Sequence, residues 1–271
     1  MKYRPWTGTG RTRQEHDGRN SISSALVTGA SAGLGRALAQ GLAGLGWQLI
    51  IDARSPDRLD LAARQLGELT SVAAVVGDVT DPAHRDRLST AVSERGGHLD
   101  LLVNNASTLG PSPLPALATL DPEDLRRILA TNVEAPLALA QQLLPALARS
   151  RGTLLNISSD AAVEHYPGWG GYAAAKAALD HLTLTLAAEN AEIAAYAVDP
   201  GDMRTEMHQL AFPGEDISDR PEPETVVPAL LALLAQRPHS GRYRASDFLP
   251  ATEPMTADAT ESLTAGSAVG A

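Results

Sequence analysis

The sequence predicts an α/β protein in which a doubly wound parallel β-sheet lies between two layers of helices. Short apolar runs alternate with longer amphipathic stretches, and strict β–α–β alternation produces parallel strands with right-handed crossovers. The apolar runs are continuous, which predicts strands that are buried on both faces. The chain has 271 residues, 44% of them hydrophobic, so we expect one domain whose core needs no disulfide or metal.

The predicted elements alternate along the chain in this way. We predict strands at 25–29, 48–53, 72–76, 99–104, 153–158 and 193–198, and helices at 33–45, 57–66, 82–95, 122–149, 171–188 and 224–236. The polar, aperiodic ends of the chain predict a disordered arm at 1–20 and a disordered tail at 251–271. The folded domain is therefore expected to span 21–250.

The bulk properties of the chain exclude several classes of protein. The absence of cysteine excludes disulfide frameworks, thiolate catalysis and cysteine–zinc sites. A net charge of −10 argues against general affinity for nucleic acid. No apolar run reaches the ~18 residues that indicate a membrane span, and no apolar segment follows the basic N-terminus. We expect a cytoplasmic protein that binds neither nucleic acid, membrane nor metal.

A glycine-rich loop follows the first predicted strand. It reads Thr-Gly-Ala-Ser-Ala-Gly-Leu-Gly over 28–35, and a predicted helix begins inside it. Glycine permits a tight turn and lets a pyrophosphate approach the backbone, while the helix N-terminus offers N–H groups and a partial positive charge. The loop therefore indicates a nucleotide site, although on its own it is also compatible with a simple turn between strand and helix.

A tyrosine and a lysine are placed for acid/base chemistry. Tyr172 and Lys176 lie four residues apart on a predicted helix and share one face. A phenol has a pKa of ~10, but an ammonium group ~4 Å away would stabilise the phenolate by ~4 kcal/mol at an effective dielectric of ~20. That energy lowers the pKa by roughly three units. We therefore predict that Tyr172 is a general acid/base with a pKa near 7.

The order and spacing of these motifs resemble those of the short-chain dehydrogenase/reductase family. The TGxxxGxG loop, Asn132, Ser159 and the YxxxK pair occur in the family's order, and Ser159 lies thirteen residues before Tyr172. The resemblance covers nearly all of 22–245. It implies a Rossmann fold and hydride transfer between a nicotinamide cofactor and a carbonyl or secondary alcohol.

The resemblance implies a catalytic tetrad of Asn132, Ser159, Tyr172 and Lys176. In this family the asparagine holds a water that connects the lysine to solvent, and the serine hydroxyl holds the substrate oxygen. Ser158 is the alternative to Ser159, because it would point inward if the loop differed. A buried amide that bonds to the backbone is the alternative role for Asn132.

The resemblance also implies a set of cofactor-binding residues. Asp78 matches the aspartate that hydrogen-bonds the adenine ring, and Lys176 would grip the nicotinamide ribose. Ser107 stands where the family motif NNAG ends in glycine, which predicts a slightly altered turn. The full predicted set is Thr28, Gly29, Ser31, Gly33, Leu34, Gly35, Arg54, Asp78, Val79, Asn104, Ala106, Tyr172, Lys176, Pro200, Gly201 and Thr205.

Cofactor preference is set after the second predicted strand. The family position that carries an acid in NAD-selective enzymes is Ala53 here, and Arg54 follows. A guanidinium can pair with a 2′-phosphate, so we expect NADP(H) rather than NAD(H), and Arg36 could supply a second charge. Asp52, one position early, could instead take the role of the acid.

The substrate end is predicted from two segments. Residues 206–223 match the mobile substrate lid of the family, and Tyr166 and Trp169 are expected to bind substrate together with Ser159 and Tyr172. Both aromatic residues could equally pack against a second subunit, since the family analogy implies a homodimer or homotetramer. A catalytically silent nucleotide-sensing regulator is an alternative function, against which the complete tetrad counts. An epimerase or dehydratase of the extended relatives is another, and the spacing of the glycine loop counts against it.

Overall fold

The computed structural model describes residues 22–249, which form one parallel sheet between two helical layers. Among these residues the sheet has seven strands in the order β3-β2-β1-β4-β5-β6-β7, and every neighbouring pair is parallel. The predicted fold class is confirmed. The strands are β1 (Ser24–Val27), β2 (Gln48–Ala53), β3 (Val72–Val76), β4 (Leu101–Asn104), β5 (Thr153–Ile157), β6 (Ala194–Asp199) and β7 (Gly241–Arg244).

The strand order reverses at β1, which lies between β2 and β4. The chain winds outward from β1 to β3 and then returns to β4 on the other side. In doubly wound sheets a crevice opens at this switch point, beyond the carboxyl ends of the strands. The glycine-rich loop leaves β1 at that point, so the fold places it at the mouth of the crevice.

The helices cover both faces of the sheet. Apolar residues of α1, α2 and α8 pack on one face around Leu38 and Leu230, and those of α3 and α5 pack on the other around Leu88 and Leu143. The helices of the described region are α1 (Gly33–Gly44), α2 (Pro56–Gly67), α3 (Pro82–Glu94), α4 (Pro122–Leu129), α5 (Ala135–Ser150), α6 (Gly170–Glu189), α7 (Glu206–Ala211) and α8 (Val227–Gln236).

The two edge strands depart from the prediction. β7 was not predicted, because its sequence Gly-Arg-Tyr-Arg is short and carries two charges. Burial on both faces is confirmed for β1 and β4 but is wrong for β3, an edge strand in which Val76 is 43% exposed. An apolar run alone does not distinguish a central strand from an edge strand.

The helix predicted over 122–149 is interrupted. It consists of α4, a π-helical segment Ala130–Glu134 that contains Asn132, and α5. Pro136 has no N–H to donate to the carbonyl of Asn132 four residues earlier, so the regular α-helical hydrogen bond cannot form there. The helix widens by one residue as a result, a feature that recurs at functional sites.

Three further findings concern the two ends of the chain, membrane-spanning helices and metal sites. The predicted disordered arm (1–20) and tail (251–271) lie outside the described residues. Within 22–249 no helix is long and apolar enough to cross a bilayer. In the same region no group of three or more His, Cys, Asp or Glu side chains is arranged to hold a metal.

Candidate active site

A cavity of about 500 Å³ opens at the carboxyl ends of the strands. It extends from Arg54 and Asp78 at one end, past the glycine-rich loop, to Tyr172 and Trp169 at the other. The fold therefore brings most of the predicted residues to one site. Those that line the cavity are Gly29, Ser31, Gly33, Leu34, Arg54, Asp78, Val79, Ala106, Ser159, Trp169, Tyr172, Lys176, Pro200, Gly201 and Thr205.

The other predicted residues lie behind the cavity wall or outside it: Thr28, Gly35, Asn104, Asn132 and Tyr166. The Thr28 hydroxyl accepts the backbone N–H groups of Asn105 and Ala106, at 2.9 and 3.0 Å, and so ties the end of β1 to the end of β4. Asn104 is buried and donates from its amide to Asn156 on β5, at 2.8 Å. These contacts favour supporting roles over direct cofactor contact.

The glycine-rich turn requires its glycines for two reasons. Gly29 and Gly33 have φ values of +65° and +52°, in the left-handed region that favours glycine. A Cβ on Gly35 would lie 2.4 Å from the amide nitrogen of Asn105, which lines the cavity and donates to the Thr28 carbonyl. Gly35 is thus needed for packing against Asn105. Asn105 is the second residue of the family motif NNAG but was not among the predicted cofactor-binding residues.

The turn is suited to a diphosphate group. Helix α1 starts directly from it, its first turn carries no acidic residue, and its N-cap Ala32 makes no side-chain hydrogen bond. The backbone N–H groups at this end are therefore not capped by the helix's own side chains, and the helix dipole adds partial positive charge. Ala32, Gly33 and Leu34 all line the cavity, so a nucleotide bound there would meet these groups.

At the adenosine end, Asp52 is turned into the protein. One carboxylate oxygen accepts the Gly29 N–H at 2.8 Å, and the other lies 2.8 Å from Nε2 of His84. Asp52 is 1% exposed and His84 is completely buried, and burial raises the pKa of Asp52 above its ordinary value. The alternative in which Asp52 serves as the ribose-binding acid is at odds with this arrangement, because both oxygens are already occupied.

Arg54 places a positive charge at this end of the cavity, where Arg58 also lines the wall and pairs with Glu206. Arg54 is exposed there. Burial acts to raise the pKa of Asp78, but hydrogen bonds from Thr80 and the charge of Arg54 outweigh it, so this pKa is lowered. Arg36, the other expected cation, lies outside the cavity lining and contacts the side chain of Gln65. The positive charge next to the second strand therefore comes from Arg54.

Tyr172 and Lys176 are both buried on α6. Burial raises the pKa of the Tyr172 phenol well above its ordinary value, and the carboxylates of Asp160 and Asp199 raise it further, while hydrogen bonding with the Ser159 hydroxyl opposes this. The predicted pKa near 7 is therefore wrong for the protein without cofactor. The attraction of one ammonium group does not offset the burial of the phenol and the charges of the two acids.

Lys176 does not contact the phenol oxygen directly. Its Nζ donates to the Ile157 carbonyl at 2.6 Å and lies 5.5 Å from the centroid of the Tyr172 ring. Burial lowers the pKa of Lys176 to about 8, against the opposing charge of Asp180. The ammonium is thus held at the base of the site by a backbone carbonyl, on the same side of α6 as the phenol.

Both serines after β5 line the cavity. The Ser159 hydroxyl donates to Oδ1 of Asp160 at 2.9 Å and is among the groups that lower the pKa of Tyr172. Ser158 is buried, and its hydroxyl oxygen makes no hydrogen bond within the described residues. The effect on the phenol pKa favours Ser159 over Ser158 as the group next to the reacting oxygen.

Asn132 is fixed by its side-chain amide. The amide donates to the Thr108 carbonyl at 2.8 Å and accepts the Thr108 N–H at 2.9 Å. The Ser107 hydroxyl also donates to it at 3.1 Å, and Ser107 is a second group that acts on the Tyr172 pKa. The sequence predicted only that Ser107 alters the turn after β4. Its side chain lies between Tyr172 and Asn132.

A partly buried ion pair behind the site was missed by sequence reasoning. Arg242, on the unpredicted strand β7, donates from Nε to Asp180 at 2.8 Å and from its terminal nitrogen to the carbonyl of Ser159 at 2.9 Å. Asp180 is one helical turn beyond Lys176. The pair thus joins the loop after β5, which carries Ser159, to α6, which carries Tyr172, and only recognition of β7 could have predicted it.

The substrate end is lined by aromatic rings. The Trp169 ring lies 5.7 Å from that of Tyr172 and 6.1 Å from that of Phe212, and Phe212 lies 5.0 Å from His208. Trp169 lines the cavity, whereas Tyr166 is 44% exposed and contacts Trp169 from outside, at 6.5 Å. Phe212 and His208 belong to the predicted lid.

An ion pair links this lid to the nucleotide end. Arg58 on α2 makes two hydrogen bonds, of 2.9 and 2.8 Å, to Glu206 at the start of α7. Both side chains line the cavity and are largely exposed, at 48% and 73%. The pair therefore spans the cavity from the side of β2 to the side of β6.

Comparison with known proteins decides the family. Residues 23–216 match the family model described as short chain dehydrogenase. The chain belongs to the short-chain dehydrogenase family. The predicted resemblance is therefore confirmed over most of the domain. The four residues predicted as a tetrad lie within the matched range, and their roles stay predictions.

Individual members of the short-chain dehydrogenase family support this membership. Mouse sepiapterin reductase is 37% identical over 199 residues, which cover 69% of this chain and 76% of that protein. Serine 3-dehydrogenase of Agrobacterium fabrum is 33% identical over 186 residues, 67% of this chain and 72% of that protein. An alcohol dehydrogenase from the archaeon Thermococcus sibiricus, complexed with 5-hydroxy-NADP, matches with a TM-score of 0.75 and 28% identity over 83% of this chain and 96% of that chain.

Proposed function

We propose that this short-chain dehydrogenase is an NADP(H)-dependent oxidoreductase that reduces a carbonyl group or oxidises the corresponding secondary alcohol, with Tyr172 as the general acid/base. The observation that carries the proposal is the buried phenol of Tyr172 on the cavity wall, with Ser159 on the same wall and Lys176 one turn further along α6. The similar proteins named above are a reductase and two dehydrogenases, which supports the same class of reaction.

NADP(H) is the proposed cofactor. The uncapped start of α1 and the left-handed glycines suit its diphosphate, Asp78 its adenine ring and Lys176 its nicotinamide ribose. Arg54 would pair with the 2′-phosphate, and the 5-hydroxy-NADP bound to the Thermococcus relative agrees with this. When bound, the nicotinamide supplies or accepts the hydride.

In the reductive direction, Ser159 and Tyr172 would both hydrogen-bond the carbonyl oxygen. Negative charge develops on that oxygen as the carbonyl carbon is reduced, and preorganised donors stabilise it. A raised pKa keeps Tyr172 protonated at neutral pH, and the protonated phenol is the form that can donate to an alkoxide. The protein without cofactor is thus prepared as an acid, which favours reduction over oxidation.

Lys176 and Asn132 are proposed to return the proton to Tyr172. The pKa of Lys176 is lowered to about 8, so the ammonium group can release and regain a proton near neutral pH. Asn132 lies on the π-helical segment and is anchored to Thr108, which holds that segment rigidly beside the site. A water held at Asn132 would complete the path from the lysine to solvent.

The substrate is proposed to lie between Ser159 and Tyr172 on one side and Trp169 on the other. Trp169 provides an apolar wall directly beside the phenol, and Tyr166 supports it from outside. The substrate's carbonyl would therefore face the hydroxyl groups while its apolar part contacts the indole.

Replacement of Tyr172 by phenylalanine tests the proposal. Removal of the acid should lower the rate of NADPH-dependent ketone and aldehyde reduction by about a hundredfold or more, because general acid catalysis typically contributes 10²- to 10⁴-fold. Cofactor oxidation is followed at 340 nm for a panel of carbonyl compounds. Tyr243→Phe is the matched control, since Tyr243 lies outside the cavity and its hydroxyl donates, within the described residues, only to the His239 carbonyl, and it should retain nearly full activity. Full activity of Tyr172→Phe would refute the mechanism.

A further inference from the structure

His84 occupies the centre of a buried polar cluster under the adenosine end of the cavity. It lies near the start of α3 and is completely buried. Its Nε2 is 2.8 Å from Oδ2 of Asp52, and its Nδ1 is 3.1 Å from the guanidinium of Arg87. A Cβ on Gly77 would lie 2.2 Å from Nδ1, so the ring fits only because residue 77 is glycine. The ring thus touches β2, the turn after β3 and a neighbouring side chain of its own helix α3, which together surround the adenosine end.

The partners of the ring fix where its proton resides. A guanidinium group has only donors, so the Nδ1 that faces Arg87 is the acceptor. The proton of the neutral imidazole is then on Nε2, which donates to Asp52. The second oxygen of Asp52 accepts the Gly29 N–H at 2.8 Å. Both carboxylate oxygens are therefore held by donors from within the protein, away from the cavity that Asp52 borders.

The position of this carboxylate bears on cofactor choice. A carboxylate at the end of the second strand that reached the adenosine ribose would accept its 2′-hydroxyl and repel a 2′-phosphate. Asp52 is on β2, two residues before Arg54, and both line the same end of the cavity. If the contact with His84 were lost, Oδ2 would be buried without a donor, which is costly. The carboxylate would then turn towards its open side, the cavity.

We propose that His84 is a specificity-determining positioning residue, which holds Asp52 against the glycine-rich turn and so leaves the adenosine end open to a 2′-phosphate. His84 acts through Asp52 and does not touch the cofactor. The inference rests on the proposed use of NADP(H). It assigns the cofactor preference to a pair of buried residues as well as to Arg54 at the surface.

Direct binding of NADPH and NADH to purified variants tests this inference. Dissociation constants are measured by cofactor fluorescence for the wild type, His84→Phe, His84→Gln, Asp52→Asn and the double variant His84→Phe/Asp52→Asn. His84→Phe keeps the ring volume without a donor, and should weaken NADPH binding about tenfold while NADH binding changes less than about threefold. His84→Gln retains a donor and should preserve the preference.

The double variant distinguishes repulsion between the Asp52 carboxylate and the 2′-phosphate from a general disturbance of the cofactor site. Asp52→Asn should restore NADPH binding in the His84→Phe background to within about threefold of the wild type, because the repelling charge is gone. Equal weakening of both cofactors by His84→Phe, or no recovery in the double variant, would overturn the proposal. Thermal unfolding without cofactor checks each variant. If His84→Phe does not fold, His84→Asn replaces it, because its shorter amide does not reach Asp52.

Failure of this inference is distinguishable from failure of the proposed function. A wild type that prefers NADPH, follows the pattern above and reduces no carbonyl compound would refute the reaction and leave the role of His84 intact. A wild type that binds both cofactors equally well would refute the role of His84 and the choice of NADP(H), while carbonyl reduction could still be observed.

Discussion

The two ends of the cavity are held together in different ways. At the adenosine end, His84 and Asp52 are buried, and hydrogen bonds of 2.8 Å join Asp52 to His84 and to the Gly29 N–H. At the substrate end, the rings of Trp169 and Phe212 lie 6.1 Å apart, and Phe212 belongs to the predicted lid, whose first residue makes an exposed ion pair. Broken buried hydrogen bonds are costly, whereas apolar rings can separate and pack again. We therefore expect the adenosine end to be rigid and the substrate end to rearrange when ligands bind.

The largest effect is expected at the adenosine end, from Gly29→Ala. An alanine at a φ of +65° is strained, and its Cβ would lie 3.0 Å from the Cα of Ala106. Left-handed strain costs about 1–3 kcal/mol, which corresponds to a roughly five- to 150-fold loss of NADPH affinity if cofactor binding needs the native turn. Fluorescence titration measures the affinity. Gly44→Ala is the control, because Gly44 lies in α1 with open space around it, and it should bind NADPH normally. Normal binding by Gly29→Ala would show that this end tolerates rearrangement.

The pH dependence of the two reaction directions separates the catalytic centre from the cofactor end. Oxidation requires the phenolate of Tyr172, whose pKa is raised by burial and two acids, so alcohol oxidation should rise about tenfold per pH unit between pH 6 and 8. Reduction uses protonated Tyr172 and Lys176. It should stay level below pH 8 and fall above it, where the lysine loses its proton. NADPH affinity between pH 6 and 8 should change little. A level oxidation profile would show that the phenolate is already present at pH 6.

At the substrate end, Trp169→Ala should affect the substrate and spare the cofactor. The indole forms the wall beside Tyr172, so its loss should raise KM for apolar carbonyl substrates about tenfold, with NADPH affinity unchanged. Steady-state kinetics and fluorescence titration give the two quantities. Trp169→Phe keeps an aromatic wall and should lie near the wild type. An equal loss of NADPH affinity would mean that the two ends are not independent.

The smallest effect is expected from Glu206→Gln, which removes the ion pair with Arg58. Both side chains are largely exposed, and such pairs contribute about 0.2–1 kcal/mol, so KM should change by at most about fivefold. The change should disappear in 0.5 M salt, which screens the pair in the wild type. Asp60→Asn is the matched control, since it removes the exposed pair with Arg64 on α2, away from the lid. A tenfold effect that persists in salt would assign Glu206 another role.

Local sequence patterns predicted the fold well where backbone chemistry determines it. Six strands follow from continuous apolar runs, and the turn after β1 follows from Gly29 and Gly33, which only glycine satisfies without strain. The π-helical segment at Asn132 was not predicted, although Pro136 supplies its cause four residues later. β7 was missed because its pairing with β6, and not its composition, makes it a strand.

The candidate site likewise could be predicted only where local spacing determines it. Spacing predicted the neighbourhood of Ser159, Tyr172 and Lys176, because the residues belong to consecutive elements at one edge of the sheet. It could not predict the partners of Asp52, since His84 comes from the first turn of α3, thirty-two residues later. It also misjudged the pKa of Tyr172, because that pKa depends on burial in the packed structure and on two acids, Asp160 after β5 and Asp199 at the end of β6.

The contact between Arg242 and the loop that carries Ser159 bears on the stage of synthesis at which the candidate site is completed. All four residues of the predicted tetrad precede α7 in the chain, whereas the side chain that contacts Ser159 and Asp180 comes from β7, the last strand of the described region. During synthesis, a ribosome-bound chain that has emerged only as far as α8 carries the predicted tetrad without this support. We therefore expect the geometry around Ser159 to be complete only after β7 has paired with β6.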